Sequence, residues 1–337
     1  MPERKGEFTI QLSNRPMILS HAAVAGKKEG EGPLGYAFDR VFEDTRLGEK
    51  TWEKAESALQ KHAVTIALNK AALSPSQMQH LFAGDLLNQC TASTFGLREL
   101  NIPMYGQFGA CSTMAQTLSM AAIFVDSGAA DLCCAVTSSH FCTAERQFRF
   151  PLEYGGQRTP TSQWTATAAG AAIVGMSGSG VRIAHVTGGR QMDLGVTDVN
   201  DMGSAMAPAA ADTLFRFFKD TKTVPADYDL VLTGDLSAMG SEMLRTLLKK
   251  QGIDLGDTHN DCGLMIYDRQ KQDVHAGGSG CGCSAAVLCS YILNKMEAGE
   301  LQSVLFVGTG ALMSPTTSQQ GESIPGIAHL VHLVKEV

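Results

Sequence analysis

A chain of 337 residues is long enough for two ordinary domains or one large two-lobed one, and its 44% hydrophobic and 18% charged residues are those of a globular protein rather than a disordered one. The formal charge of −7 is spread along the chain with no cluster of Lys and Arg interleaved with aromatics. That argues against a nucleic-acid partner and requires any acidic ligand to be held locally.

Residues 16–24 have the apolar content of a buried strand, and 26–35 form a glycine- and charge-rich loop. A helix is predicted over 52–72, with Ala55, Leu59, Ala63, Ile66 and Leu73 near helical spacing, and Ser74-Pro75 stops it. Residues 79–84 read as a short strand ending at Gly84-Asp85-Leu86, followed by a polar, small-residue stretch to Phe95. Residues 102–108 lead into Gly109-Ala110-Cys111-Ser112, where 113–127 read as a small-residue amphipathic helix closed by Ser127-Gly128. The nearly all-apolar 131–138 has the look of a buried parallel strand. Residues 141–163, with Trp164 at the end, read as an irregular polar-aromatic loop holding Arg146, Arg149, Glu153, Tyr154 and Arg158. Loops of that length cap a site or a partner surface. Strands are predicted over 168–176 and 181–187, joined by a turn at Ser177-Gly178-Ser179-Gly180.

The second half repeats the first. Pro75 stands nine residues before Gly84-Asp85-Leu86, and Pro225 stands nine residues before Gly234-Asp235-Leu236. Cys111-Ser112 and Cys283-Ser284 each begin a helix that is followed by Gly128 or Gly299 and a strand containing Leu132 or Val304. A helix precedes each Pro, over 52–72 and 208–219. The expected organisation is a duplicated α/β unit, with halves 1–179 and 180–337 and the two Cys-Ser helix starts meeting at a pseudo-twofold axis.

A cysteine at a helix start faces the unpaired N–H groups of the first turn, which attract anions and favour the thiolate. The same geometry serves either a nucleophile or an anion-binding floor. Nine cysteines is an odd count without disulfide-framework spacing, which points to reduced thiols in a cytosolic setting. Cys281-Gly282-Cys283 lacks a second Cys/His pair at zinc-site spacing, so no metal is expected there. Residues 1–12 lack a signal-peptide core and no run approaches eighteen apolar residues, so membrane association is expected to be peripheral at most.

A Cys at the start of a small-residue central helix in a duplicated α/β chain, with the glycine-rich Ala276-Gly-Gly-Ser-Gly-Cys-Gly-Cys-Ser-Ala285 and the late Val307-Gly-Thr-Gly310, resembles the thiolase superfamily over nearly the whole chain. The resemblance implies a thiolase-like, duplicated, five-layered αβαβα fold of the α/β class. The stretches Arg15-Pro-Met-Ile-Leu-Ser20, Gly35-Tyr-Ala-Phe-Asp39, Gly84-Asp-Leu-Leu-Asn-Gln-Cys90 and Tyr105-Gly-Gln-Phe-Gly-Ala-Cys-Ser-Thr113 are similar to a family of sporulation proteins within that superfamily. This implies a role in moving dipicolinic acid, or its calcium chelate, across the inner membrane of a bacterial spore, together with membrane proteins of the same transport system. Superfamily members commonly pair through the strand after the nucleophile helix, which points to 131–138 as a homodimer edge.

Condensing enzymes of the superfamily need acid-base partners beside the nucleophile, a His or Asn on each of two later loops. The matching stretches here, Leu232-Thr-Gly-Asp-Leu-Ser237 and Gly278-Ser-Gly-Cys-Gly-Cys-Ser284, hold neither residue. His275, a few residues upstream, is either a stand-in partner or a packed or solvated histidine. Loss of groups that act as a unit costs orders of magnitude in rate, so the expectation is a non-catalytic binding protein with a vestigial nucleophile, Cys111. The alternative is a Cys111-dependent acyl-CoA condensing or acyl-transfer enzyme, and a scaffold with an idle pocket is the third reading. Candidate ligand contacts are Cys111, Ser112 and Thr113 as donors, Trp164 as a stacking ring, and Asp85, Asp235, His275, Ser279 and Thr309 around them. No cofactor is expected. Calcium carried with the ligand would reconcile Asp85 and Asp235 with a dianion, and the competing reading makes each Asp a turn or helix cap.

Overall fold

The structure is a computed structural model that describes residues 1–148, 158–176 and 180–336. The chain starts with a hairpin, β1 (Glu3–Lys5) and β2 (Thr9–Gln11), and continues into the ten-residue β3 (Met17–Gly26). The short α1 (Lys27–Gly30) and β4 (Arg40–Phe42) occupy the stretch read as a glycine-rich loop and its sequel. Then come α2 (Trp52–Lys70), β5 (His80–Gly84), α3 (Thr91–Leu97), β6 (Met104–Gly106), α4 (Thr113–Asp126) and β7 (Leu132–Ser139). The first half closes with α5 (Phe141–Phe148), β8 (Trp164–Thr165) and β9 (Ala168–Gly175). In the second half stand β10 (Val181–Thr187), α6 (Met202–Thr221), β11 (Leu230–Thr233), α7 (Ser237–Lys250), β12 (His259–Asp261) and α8 (Cys262–Met265). It ends with β13 (Gly278–Ser279), α9 (Cys281–Val287), α10 (Leu293–Glu297), β14 (Ser303–Ala311), α11 (Pro315–Gln319) and β15 (Gly326–Lys335).

The strand order reads the same outwards from the middle: β3-β9-β7-β5-β6 on one side and β10-β15-β14-β11-β12 on the other. On each side the two outer pairings are parallel and the two inner ones antiparallel. The two five-stranded runs are joined by a short antiparallel pairing, Ile18 to Val181 and Met17 to Arg182. Pro75 and Pro225 each open a single 3-10 turn leading into β5 and β11, as their equal spacing from Gly-Asp-Leu suggests.

The layering follows from side-chain size. Helix α4 carries only small or apolar side chains apart from Gln116 and Asp126, and it packs against β5, β7 and β9 on one face and β14 and β15 on the other. Helix α9 joins it in that central layer. Strand β9 is Ala-Ala-Gly-Ala-Ala-Ile-Val-Gly because α9 lies against it: a Cβ on Gly170 would sit 2.4 Å from the Ala285 carbonyl oxygen. The outer layers are α2 over β3, β7 and β9, and α6 with α7 over β14 and β15. Helix, sheet, central helices, sheet and helix make the five αβαβα layers.

Four expectations need correction. Residues 141–148 are helical, because Ala144 and Phe148 fall one turn apart and face the same cavity; Arg149, Glu153 and Tyr154 lie outside the described residues, as do 177–179 of the expected turn. Helix α6 starts at Met202, not near Pro208, since Asp201 caps it by accepting from Ser204 N at 3.2 Å. Residues 91–97 form α3 where a polar stretch was expected. Finally, β7 is an interior strand between β9 and β5 and has no open edge to offer a second copy; the long sheet ends at β6 and β12.

The N-terminal hairpin is tethered by one carboxylate. Asp220 near the end of α6 accepts from the backbone N–H groups of Glu7, Phe8 and Thr9, each at 2.9 Å. Asp220→Ala is expected to cost about 2 kcal/mol and to speed amide exchange at Glu7, Phe8 and Thr9 selectively, as read by hydrogen-exchange mass spectrometry.

Candidate functional site

The Cys111 turn is built by close backbone approach. Ala110 holds a left-handed φ of 50°, and Gly109 has no room for a Cβ, which would meet Ser112 Oγ and Gln116 Oε1 at 2.7 Å. From the other half, Gly310 on β14 comes so near that a Cβ there would stand 2.3 Å from the Gly109 carbonyl oxygen. This contact puts Thr309, at the end of the same strand, beside the turn. The parallel pairing of β13 with β8 brings in Ser279, opposite Thr165.

Around the sulfur the structure gathers four of the residues singled out above. Cys111 Sγ lies 3.9 Å from Ser279 Oγ, and the Asp235 carboxylate faces the sulfur. Asp235 accepts from Gly280 N at 2.8 Å, Ser279 Oγ at 3.2 Å and Thr309 Oγ1 at 2.8 Å, while its own N–H donates to Thr309 Oγ1 at 3.0 Å. Burial and then the Asp235 charge push the Cys111 thiol well above its ordinary pKa. Burial likewise raises Asp235, against the hydrogen bonds that favour its charged form. The shift favours the thiol over the thiolate at Cys111.

The cavity over the sulfur is small, ≈ 40 Å³, floored by Cys111, Ala110, Ser279 and Thr165 and walled by Leu86, Ala144, Glu145, Phe148, Met202 and Met313. No histidine stands among the described residues that line it. Glu145, the charged group in the wall, pairs with Arg158 at 2.6 Å.

The remaining candidates stand elsewhere. The Ser112 and Thr113 hydroxyls donate to the Gly109 and Ala110 carbonyls, each at 2.6 Å, and their N–H groups close onto the same two carbonyls at 3.1 and 3.3 Å. The first turn of α4 therefore bonds to its own approach instead of offering a floor of free donors. Asp85 behaves as a turn cap, accepting from Leu87 N at 2.9 Å, Ser93 N at 2.8 Å and Ser93 Oγ at 2.6 Å. Trp164 stacks on Phe141, ring centroids 3.8 Å apart, with Lys28 Nζ 3.6 Å from its ring, so its face is already covered. His275 pairs with Asp273 at 3.3 Å and does not line the cavity.

A buried carboxylate missed in the sequence lies behind the wall. Glu56 on α2 accepts from Ser138 Oγ at 3.1 Å and Thr143 Oγ1 at 2.6 Å, and burial reinforced by the Asp85 charge pushes it up to about 8. Its signal was polarity on the buried stripe of α2, next to Ala55 and one turn before Gln60. Among the described residues no group of three or more His, Cys, Asp or Glu is placed to hold a metal ion, and all nine cysteines are free.

A family model described as stage V sporulation protein AD matches residues 6–334. The stage V sporulation protein AD of Bacillus subtilis (strain 168) is 48% identical over 324 residues, covering 96% of this chain and 96% of that protein. The chain belongs to the stage V sporulation protein AD family. Among solved structures, this family member is similar to 3-oxoacyl-[acyl-carrier-protein] synthase III from Aquifex aeolicus VF5, with a TM-score of 0.58 and 13% identity over 95% of this chain and 99% of that one. It is also similar to cerulenin-bound OleA from Xanthomonas campestris, with a TM-score of 0.60 and 15% identity over 95% and 98%. At such identities the likeness speaks for the thiolase-like fold alone.

Proposed function

We propose that this chain is a non-catalytic binding protein for dipicolinic acid, or its calcium chelate, serving its uptake into or release from bacterial spores. The observation that carries the reading is the carboxylate of Asp235 against the Cys111 sulfur: a site that favours the thiol, in a cavity whose described lining holds no histidine, is suited to hold a ligand and not to carry an acyl group. Family membership supplies the sporulation context. The floor offers the Thr165 hydroxyl to a carboxylate, the Ser279 hydroxyl and the Cys111 thiol being turned to Asp235, and Leu86, Phe148, Met202 and Met313 offer apolar walls to a flat pyridine ring. Because Asp85 and Asp235 are engaged by internal donors, any calcium arrives as the chelated partner of the ligand rather than on these carboxylates. No described helix is long and apolar enough to cross a membrane. Peripheral association at the spore inner membrane, through membrane proteins of the same transport system and as a homodimer, completes the proposal.

Isothermal titration with dipicolinate, with and without Ca²⁺, is expected to give a saturable heat for the wild type that Cys111→Ala weakens by about 1 kcal/mol. Negligible heat from the wild type overturns the reading. Incubation with acyl-CoA is expected to leave the mass of Cys111 unchanged; a covalent adduct there would favour acyl transfer instead.

A further inference from the structure

The cavity of ≈ 40 Å³ is far below the roughly 300–1,000 Å³ of pockets that enclose a drug-sized ligand, so a wall must move for any ring to enter. Helix α5 is a partition between two spaces. Ala144, Glu145 and Phe148 on one side wall the cavity over Cys111. Thr143, Arg146 and Gln147 on the other side line an open cleft of ≈ 340 Å³ together with Glu53, Leu87 and Asn88. That cleft continues, through shared Glu53 and Thr91, into a larger one of ≈ 500 Å³ along α2 and α3.

The attachments of this helix differ from end to end. At its start, Phe141 is stacked on Trp164 and the buried Thr143 donates to Glu56 at 2.6 Å. Towards its end, Gln147 Nε2 donates to the Leu86 carbonyl at 2.8 Å, Gln147 Oε1 accepts from Asn88 N at 3.0 Å, and the exposed Arg146 pairs with Glu53. Eight residues are too few for a helix to be stable alone, so these contacts, with the Glu145–Arg158 pair at 2.6 Å between them, decide its position. The buried first turn is the pivot, and the Gln147 and Arg146 clasps hold the moving end.

We propose that α5 is the gate of the pocket, swinging about Thr143 to open the cavity into the cleft beside Leu87 and Asn88, with Gln147 and Arg146 as the clasps that keep it shut. The proposal rests on the reading of the cavity as a ligand site. The ligand class that fits the route is a small carboxylate, met in the cleft by Arg146 and the Asn88 side chain and in the cavity by the Thr165 hydroxyl.

The test uses iodoacetamide as the probe, so it does not depend on dipicolinate. In the full chain, Arg146→Ala combined with Gln147→Ala is expected to speed alkylation of Cys111 about tenfold, the factor that loss of ~1.4 kcal/mol of clasp contacts gives, as read by peptide mass spectrometry. Cys289, in the deep core, is expected to react at the wild-type rate and so reports that the fold is intact. Asn88→Trp added to the pair, which fills the cleft without lining the cavity, is expected to return Cys111 towards its wild-type rate. An unchanged Cys111 rate, a parallel rise at Cys289, or a rate that Asn88→Trp does not lower overturns the gate or its route. A gate that passes this test while wild-type titration gives no heat overturns only the choice of ligand.

Discussion

Asp235→Ala is expected to lower the free energy of unfolding by about 3 kcal/mol with no ligand present, whereas Cys111→Ala costs about 1 kcal/mol. The Asp235 carboxylate is fully buried and is the acceptor for the Gly280 N–H and the Ser279 and Thr309 hydroxyls. The hydroxyls rotate to other acceptors when it is removed, but the Gly280 N–H is fixed by the backbone at the start of α9 and stays unpaired in a dry interior. Asp235→Asn falls between, at about 1 kcal/mol, because its oxygen keeps the Gly280 bond and its amide donates to Thr309 Oγ1, which has a second lone pair. The same substitution removes the charge that helps hold the thiol high, so Cys111 is expected to alkylate faster in Asp235→Asn than in the wild type at one pH. Urea unfolding followed by circular dichroism measures the first effect, and peptide mass spectrometry the second. Equal stability of Asp235→Ala and the wild type would sink the account, because the carboxylate would then not organise the junction between β14, β13 and the Cys111 turn.

The two Gly-Asp-Leu repeats show where the sequence stops being informative. Residues 84–86 and 234–236 are identical and end matching strands, yet Asp85 caps a turn while Asp235 joins the thiol. What separates them is the donor that reaches each carboxylate, Ser93 N in one half and Gly280 N in the other. That is a tertiary fact without a local signature. Cys111 and Asp235 were legible from the repeated Cys-Ser and Gly-Asp-Leu stretches, and Ser279 and Thr309 from the glycine-rich stretches that resemble the thiolase superfamily. Helix α5 was not legible, since Phe-Cys-Thr-Ala-Glu-Arg-Gln-Phe holds too few turns to establish a 3.6-residue period. Phe141 from that helix covers the face of Trp164 that would otherwise be open to a ligand ring. Helix α3 was hidden by its entry through Gln89 and Cys90, two consecutive left-handed residues that no propensity rule anticipates. Pro208 stands inside α6 and not at its first position, where proline is most at home, so the start of that helix is not marked by it.

Stability is expected to peak near pH 6–6.5, where the three histidine windows close while the two carboxyl windows stay open, and to fall on both sides, for opposite reasons. Glu56 rises from an ordinary 4.5 to about 8 in the folded chain, and Asp261 from 3.8 to about 7, in both cases chiefly through burial. A carboxyl with a raised folded pKa is favoured protonated, so its stability is fully present below the unfolded pKa and lost as pH climbs towards the folded one. The window is therefore about pH 4 to 8. His332 falls from 6.5 to about 3, and His259 and His329 to about 4, again mainly by burial. A histidine with a lowered folded pKa is favoured neutral, so its stability is present above 6.5 and lost as pH drops towards 4 and then 3. Each pH unit inside a window is worth ~1.4 kcal/mol per group, which puts the Glu56 cost at pH 7 at about 3 kcal/mol. Glu56→Gln removes that titration and loses part of the bonding to Ser138 and Thr143, because an amide nitrogen does not accept from a hydroxyl. The variant is expected to gain about 2 kcal/mol at pH 8, to gain nothing at pH 4.5, and to keep the acid limb of the wild type unchanged. Urea unfolding at pH 4.5, 6, 7 and 8 reads all three. An alkaline limb of the same slope in variant and wild type would show that Glu56 does not carry a proton in the folded chain, and that the contact holding α5 to α2 is an ionised one.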